Sequence, residues 1–424
     1  MRVAVVSEFY PRRGDPVLGV WAHRQALAAR AAGAEVEVVV LHRLVPPRRA
    51  LAGGPGAGVR ALAGLVGEPR HQVHDGLPVT YVRYVSPPRG SSYPSWGAWA
   101  APALGAALRR LRRGAGFDLI HAHNALPAGD AARRAGLEVP LVISVHGGDV
   151  LYTAPRYRRG REALARSLGG ARLVLANSAG IADLARAGGA GEVRVVHLGA
   201  ELPRATHAGG ARTGELQPAD SPIAGGQVSA PPLASSPAAR TAPAPTLVTV
   251  GHLVARKRHA DVVRALAVLS SRHPTLRYVI VGEGPERLHL EGLAARLGVS
   301  DRVELCGQLE HGAALARVRR CTLFAMPSTE EAFGVAYIEA MAAGVPAIGC
   351  RGEPGPEEIA AAGDGFVLVP PGDIERLTQR IDELLSDPQR LREAGRRARA
   401  TVAAHFTWER CGEQTVAAYE HALR

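Results

Sequence analysis

The segment PSTEEAFGVAYIEAMAAGVP (327–346) holds three carboxylates, and two of them, Glu331 and Glu339, have seven residues between them. A β-like run ends at Ser328, an acidic glycine-containing loop follows, and the pattern predicts a helix beginning near Gly334. Glu339 then lies on an otherwise apolar helix, among Val335, Ala336, Ile338, Ala340 and Met341. A lone carboxylate there is costly unless it is hydrogen-bonded, and a ribose diol is one partner that satisfies it. The N–H groups of Phe333, Gly334 and Val335 stand at the helix N-terminus, where free amide donors favour an anion. A helix cap and a surface glutamate would use the same residues, so the spacing alone leaves both readings open.

The segment TVGHLVARKRHADVVRAL (249–266) offers the complementary charge. A strand ends in Gly251, His252 follows, and Arg256, Lys257 and Arg258 precede the next helix. Cations between a strand end and a helix N-terminus suit a diphosphate; a solvated basic run is the alternative. The chain has fifty arginines and a single lysine, Lys257, and the placement of that one ammonium favours a site. VGEGPERL (281–288), which contains Glu283, lacks the third glycine of the dinucleotide fingerprint and reads as a tight turn into a helix.

In the N-terminal half, ISVHGGDV (143–150) puts His146, two glycines and Asp149 just after a strand. HAHNALPAG (121–129) brings His121 and His123 to another strand end, and Gly19 opens a helix after the loop FYPRRGDPVL. A strand-end histidine in a cleft can donate to a phosphate or a sugar hydroxyl. A satisfied structural histidine reads equally well. No zinc-ligand spacing occurs.

The elements that must position these residues alternate. Apolar runs such as RVAVVS (2–7), EVEVVVL (35–41), LPVTYVRYV (77–85), FDLIHAH (117–123), VPLVISVHG (139–147), ARLVLANS (171–178) and VRVVHLG (193–199) are separated, for the most part, by alanine-rich helical stretches. That alternation predicts a parallel sheet covered on both faces. Residues 203–245, rich in Pro, Ala, Gly, Ser and Thr, read as a linker or disordered insertion, and 46–70 as a smaller version of it. The βα pattern restarts with TLVTVG (246–251) and ends in a helical tail from Asp373. A length of 424 residues fits two such α/β units. Ligands of open parallel sheets bind at the carboxyl ends of the strands, so two facing sheets predict a cleft between them.

Composition narrows the function classes. Apolar residues make up 46% and charged residues 21%, as in ordinary folded proteins. No apolar stretch is long enough to span a bilayer, and MRVAVVSEFY does not read as a signal peptide. Cys306, Cys321, Cys350 and Cys411 are far apart and read as reduced cysteines of a cytosolic protein. The net charge of +12 belongs to residues 1–202, with 26 arginines against 14 acidic residues; residues 246–424 hold 22 basic and 23 acidic residues. Such a surface recruits anionic partners, but no nucleic-acid motif or aromatic interleaving accompanies it. The segment SSYPSWGAWAAPALGAALRRLRRG (91–114) reads in two ways. It is either an interfacial helix laying Tyr93, Trp96 and Trp99 on a bilayer with arginines on anionic headgroups, or a surface helix with its tryptophans packed inward.

Taken in order, these segments resemble the family 4 retaining glycosyltransferases of the GT-B fold, in which two Rossmann-like domains face a central cleft. The E-x7-E pair Glu331 and Glu339, the G-x-L-V-x-x-K segment ending at Lys257, the VGEGP turn, HGGD at 146–149 and the loop near Gly19 carry the resemblance. It implies an acceptor-binding domain over 1–202, the insertion at 203–245, a nucleotide-sugar-binding domain over 246–405, and a C-terminal helix, 406–424, crossing back to the first domain. It also implies hexosyl transfer from a nucleotide sugar without cofactor or metal. Glu339 would bind the donor ribose, Glu331 the donor sugar, and Arg256 and Lys257 the diphosphate with the 333–335 amides. Gly251, His252 and Glu283 would border the donor. His146 would lie near the reacting sugar, and Gly19, His123 and Asp149 near the acceptor. His252 stands where the family often has arginine. Expected partners are the donor, a sugar, lipid-linked or phosphorylated acceptor, and an anionic membrane surface touched by the basic half; no nucleic acid is expected. The expected place is the cytoplasm, at the inner face of the membrane, in cell-envelope polysaccharide synthesis. A GT-B nucleotide-sugar epimerase and a non-catalytic arginine-rich binder are the alternatives.

Overall fold

Val, Ile and Leu dominate the central runs, and β-branched side chains pack well on a sheet buried on both faces. In the computed structural model, which describes residues 1–12, 15–46, 50, 53–203 and 244–424, these runs form two sheets. The first holds β1 (Arg2–Ser7), β2 (Glu35–Arg43), β3 (His71–His74), β4 (Leu77–Tyr84), β5 (Leu119–His123), β6 (Leu141–Val145), β7 (Leu173–Ala176) and β8 (Val193–Val195). Their order is β3-β4-β2-β1-β5-β6-β7-β8. The second holds β9 (Thr246–Val250), β10 (Arg277–Val281), β11 (Val303–Gly307), β12 (Leu323–Ala325), β13 (Ala347–Cys350) and β14 (Phe366–Val369), in the order β11-β10-β9-β12-β13-β14. The described pairings are parallel except β3 with β4.

Each sheet reverses its direction of growth once. The chain moves outward from β1 to β2 and β4, then returns to place β5 beside β1. It repeats the move from β9 through β10 and β11 back to β12. Such a switch opens a crevice at the strand carboxyl ends. The first crevice receives Glu8, Asn124 and His146; the second receives the loops that begin at Gly251 and Pro327.

The last helix, Trp408–Leu423, lies on the first sheet. Gly412 touches the helix Val20–Ala31 so closely that a Cβ there would come within 2.2 Å of the Ala28 carbonyl oxygen. Its Tyr419 hydroxyl bonds His121 Nδ1 at 2.7 Å.

Two expectations meet the structure differently. Within 46–70, residues Pro55–Gly67 form a helix rather than a loop. Proline at its first position is tolerated because that N–H has no intrahelical partner, and the following Ala, Leu and Val residues favour helix. The interfacial reading of 91–114 is overturned. Helix Trp96–Gly114 turns Trp96, Leu104 and Leu108 into the core beside Tyr93, with the Arg43 guanidinium 4.3 Å from the Trp96 ring centroid. Only Trp99 of the three aromatics faces outward, 52% exposed. The predicted insertion at 203–245 falls, but for its edges, outside the described residues. Cys350 and Cys411 are buried, Cys306 and Cys321 half-buried, and all four are free thiols. No helix among the described residues is long and apolar enough to cross a membrane.

Candidate active site

The loop after β12 is organised around Glu331. Its Oε2 accepts from Lys257 Nζ at 2.5 Å and from Ser328 Oγ at 2.9 Å, and its N–H donates to Glu353 Oε2 at 2.8 Å. Burial alone would raise this carboxyl. The charge and hydrogen bond of Lys257, with Arg256 and Ser328, hold it below the ordinary range instead. Glu331 is therefore a buried anion with its own ammonium.

Lys257 reaches that position because two loops lie tightly together. A Cβ on Gly282 would stand 2.0 Å from the Gly251 carbonyl oxygen, and one on Gly284 would stand 2.4 Å from that of Leu253. The two glycines of G-x-G-P thus let the turn after β10 lie on the loop that carries the lysine. Glu283, between them, is engaged by Arg287 at 2.9 Å. His252 is exposed, and its carbonyl accepts from His259 Nε2 at 3.3 Å. Arg256 points the other way, across the cleft, with its guanidinium 5.4 Å from the centroid of Tyr152.

Glu339 has the opposite character. It lies on the helix Val335–Ala342, opened by Gly334 at φ 90°, with His311 Nε2 3.5 Å from its Oε1. Burial pushes its carboxyl up to about 8; Arg24 opposes the shift and Glu201 adds to it. Near neutral pH the protonated acid predominates, able to donate one hydrogen bond and accept others. Phe333 is buried and stacks on His197, with centroids 5.8 Å apart at 13°.

On the facing side, three imidazoles form a buried line. His121 Nε2 lies 2.7 Å from Ser144 Oγ, and His123 Nδ1 lies 3.0 Å from His146 Nε2. Burial lowers all three, His121 to about 3 and His146 to about 4, so the rings are neutral. His146 Nδ1 and His123 Nε2 are buried without a protein partner. His146 lines a cavity of about 580 Å³. His123, expected at the acceptor, has no exposed surface and stands behind His146 as its support. Asp149 borders the cavity, but both its oxygens accept backbone N–H groups, from Ala125 at 2.7 Å and Leu126 at 3.3 Å. Gly19, at φ 66°, starts its helix where a Cβ would meet the Phe9 carbonyl oxygen at 2.1 Å. The resemblance puts these two near the acceptor; in the structure both hold loops, and Asp149 also borders the cavity.

The two sides come closest beside Glu331. Gly147, at φ 99°, lies so near the Glu331 loop that a Cβ would be 2.3 Å from Ala332 Cβ. Ser178 Oγ donates to the Ala332 carbonyl at 2.9 Å beside it.

Residues 18–204 match the family model described as Glycosyltransferase Family 4, and 237–401 match that of Glycosyl transferases group 1. The chain belongs to the family 4 glycosyltransferases. It shares its fold with the sucrose-phosphate synthase of Thermosynechococcus elongatus, at a TM-score of 0.73 and 22% identity over 99% of this chain and 98% of that one. It is 32% identical over 177 residues to a GDP-mannose-dependent monoacylated alpha-(1-6)-phosphatidylinositol monomannoside mannosyltransferase of Corynebacterium glutamicum, covering 40% of this chain and 45% of that protein. An exopolysaccharide phosphotransferase of Streptomyces coelicolor is 38% identical over 154 residues, 36% of this chain and 16% of that one. The matched segments thus span less than half of these curated relatives.

Several residues of this glycosyltransferase site escape sequence reasoning. Ser328 and Glu353 bind Glu331, and the short motifs around them carry no signal of that pairing. Tyr152, Arg89 and Arg156 line the cavity. Arg156 begins the basic run RYRRGR (156–161), and nothing in that run tells which guanidinium enters the cleft.

Proposed function

We propose that this glycosyltransferase moves a hexosyl group from a nucleoside diphosphate sugar to an acceptor seated against the first sheet, with retention of anomeric configuration and without a metal. The observation that carries the reading is the Lys257–Glu331 pair at the second switch point, facing His146 across the Gly147–Ala332 contact. Glu339 hydrogen-bonds the donor ribose. Lys257 and Arg256, with the amides at 333–335, neutralise the departing diphosphate, the work a metal ion would otherwise do. As Lys257 turns to phosphate, Glu331 is freed to bind the donor sugar. His146, a neutral imidazole, hydrogen-bonds the reacting sugar. Gly251, His252 and Glu283 border the donor.

The donor base is one of uracil, guanine and adenine; a related mannosyltransferase is GDP-mannose-dependent by name. The test is a thermal-shift series with UDP, GDP and ADP, followed by NMR assignment of the anomer formed with the matching sugar nucleotide. A ligand at a hundred times its Kd stabilises by about 2.7 kcal/mol. No shift with any of the three removes the reading, and an inverted product removes its stereochemical part.

We also place the basic half against an anionic membrane surface, in envelope polysaccharide synthesis. Helix Pro55–Gly67 supports this: it exposes Val59, Leu62 and Val66 beside Arg60 and carries no acidic residue. Flotation with phosphatidylglycerol vesicles against phosphatidylcholine vesicles tests it, and equal absence from both fractions refutes it.

A further inference from the structure

The cavity in front of His146 is larger than a catalytic contact needs, and its wall has a definite chemistry. Phe9, Trp21, Tyr93 and Tyr152 supply ring faces and edges, and Arg89 and Arg156 stand exposed at its mouth. The Arg89 guanidinium lies 4.3 Å from the Tyr93 centroid, and that of Arg156 lies 5.0 Å from Tyr152. Arg256 approaches the same Tyr152 ring from the other domain. Two guanidiniums that share one ring repel each other unless an anion lies between them. Among the described residues, none of these three arginines has a carboxylate within ion-pair distance.

The carboxyls nearby offset this charge only in part. Glu330 lies by Tyr152. Glu8, bonded by the Tyr93 hydroxyl at 2.9 Å, is pushed up to about 7 by burial, against Arg89, Tyr93 and Arg43. Asp149 is likewise pushed up to about 7 by burial, against its two backbone donors. The imidazole inside the cavity is thus neutral, its carboxyls are only partly ionised near neutral pH, and its mouth carries the exposed guanidiniums. Forked guanidiniums suit the planar oxygens of a phosphate or carboxylate, and aromatic walls suit the apolar face of a sugar ring.

We infer that the acceptor is an anionic sugar or polyol, its phosphate or carboxylate held by Arg89 and Arg156, its ring against Trp21 and Tyr93, and a free hydroxyl beside His146. Calling this ligand the acceptor rests on the transfer reading above; the anion site itself does not.

The test is calorimetric titration of D-glucose 6-phosphate, D-glucuronate and D-glucose into the full chain and its variants R89Q, R156Q and R112Q, the last an exposed arginine away from the cavity. Glucose 6-phosphate or glucuronate is expected to bind the native chain well above glucose. Loss of either cavity arginine is expected to weaken it roughly tenfold to a hundredfold, the worth of a charge-assisted hydrogen bond. R112Q should leave it unchanged. Phosphatidylglycerol vesicles that bind in competition with inorganic phosphate, and depend on Arg89 and Arg156, would assign the same anion to a lipid headgroup instead of a free sugar. The inference is overturned if neither sugar acid nor vesicle distinguishes the native chain from R89Q and R156Q, or if R112Q weakens binding as much. Nucleoside diphosphate titrations on the same samples separate the two claims. Nucleotide binding without anion binding defeats only this inference; anion binding without nucleotide binding defeats only the transfer reading.

Discussion

At the carboxyl end of the second sheet, Lys257 and Glu331 neutralise each other at 2.5 Å, and Ser328 and Glu353 complete their hydrogen bonds. At the matching end of the first sheet, burial keeps three imidazoles neutral, two of their nitrogens have no protein partner, and the arginines stand apart at the cavity mouth. The topology is the same and the electrostatics differ. The second crevice holds a paired cation, and on the proposed reading an incoming diphosphate would exchange one anion for another. The first has neutral imidazoles within and guanidiniums at its edge, which suits a ligand that brings both a hydroxyl and a charge.

Removing the lysine should break that contrast most. Lys257→Ala leaves Glu331 buried without its ammonium, and stranding one partner of a buried pair costs about 3–5 kcal/mol. Donor turnover is expected to fall by about 10²–10³, the loss found when one preorganised charge-stabilising group is removed. Lys257→Arg keeps the charge but brings a planar fork to a place that fits a point charge, so it too should impair turnover. Near-native turnover in both variants, with circular dichroism confirming a folded chain, would show that the pairing is not what readies the donor side.

The next test acts on the contact between the two regions. In Gly147→Ala the new Cβ would meet Ala332, and the backbone sits at φ 99°, where side chains are strained. Separating the loops by about 1 Å is expected to lower transfer roughly a hundredfold. Nucleotide affinity, which the proposed reading places on residues of the second sheet, should stay close to native. If affinity falls in step with transfer, the two crevices are not the separate units described here.

The sequence carried one region better than the other, for physical reasons. The donor side is built from two short stretches, and their motifs, a sole lysine and a carboxylate on an apolar helix, violate local rules in ways a reader can see. Even so, the pairing of Lys257 with Glu331, 74 positions apart, needed β9 and β12 side by side. The strands were visible because both their faces are apolar. The helix Pro55–Gly67 was hidden by glycines and a proline that read as a loop. The amphipathic stretch at 91–114 could not tell a protein core from a bilayer, since both accept Trp96. Arg89 and Arg156 are two arginines among fifty; only the cavity distinguishes them.

Glu339 sharpens the comparison through pH. Its carboxyl is raised to about 8 from 4.5, so the folded chain holds a proton there that the unfolded chain has lost. Its contribution to stability therefore falls as pH rises from about 4.5 through 8. Glu339→Gln removes that dependence. Without ligand, the variant should match the native chain near pH 4.5 and exceed it increasingly toward pH 8, by roughly 2–4 °C in Tm per kcal/mol relieved. Nucleoside diphosphate affinity should meanwhile drop by about tenfold, because a carboxyl replaced by an amide keeps the shape but not the proton placement. A variant whose Tm tracks the native chain at every pH would mean that Glu339 is solvated, not buried.

The smallest effect is expected where His197 meets Glu358. His197 Nε2 bonds Glu358 Oε1 at 2.7 Å and its ring stacks on Phe333, while Glu358 Oε2 accepts the Ala179 N–H at 2.8 Å. The His197 hydrogen bond is the main reason the Glu358 carboxyl lies below the ordinary range, with burial opposing it and the Ala179 N–H helping. A depressed carboxyl adds stability above its unfolded value of 4.5 and loses it as pH falls through the folded one. His197→Ala removes one of the two bonds and unstacks Phe333, but leaves Ala179 to hold Glu358. Nucleotide affinity should therefore fall less than about tenfold, the scale of one hydrogen bond. The Tm gap between native and variant chains should hold at neutral pH and close as pH falls below the carboxylate range. A gap that persists in acid would assign the loss to the Phe333 stack alone, and would place the link between the two sheets in that ring contact instead of in the hydrogen bond.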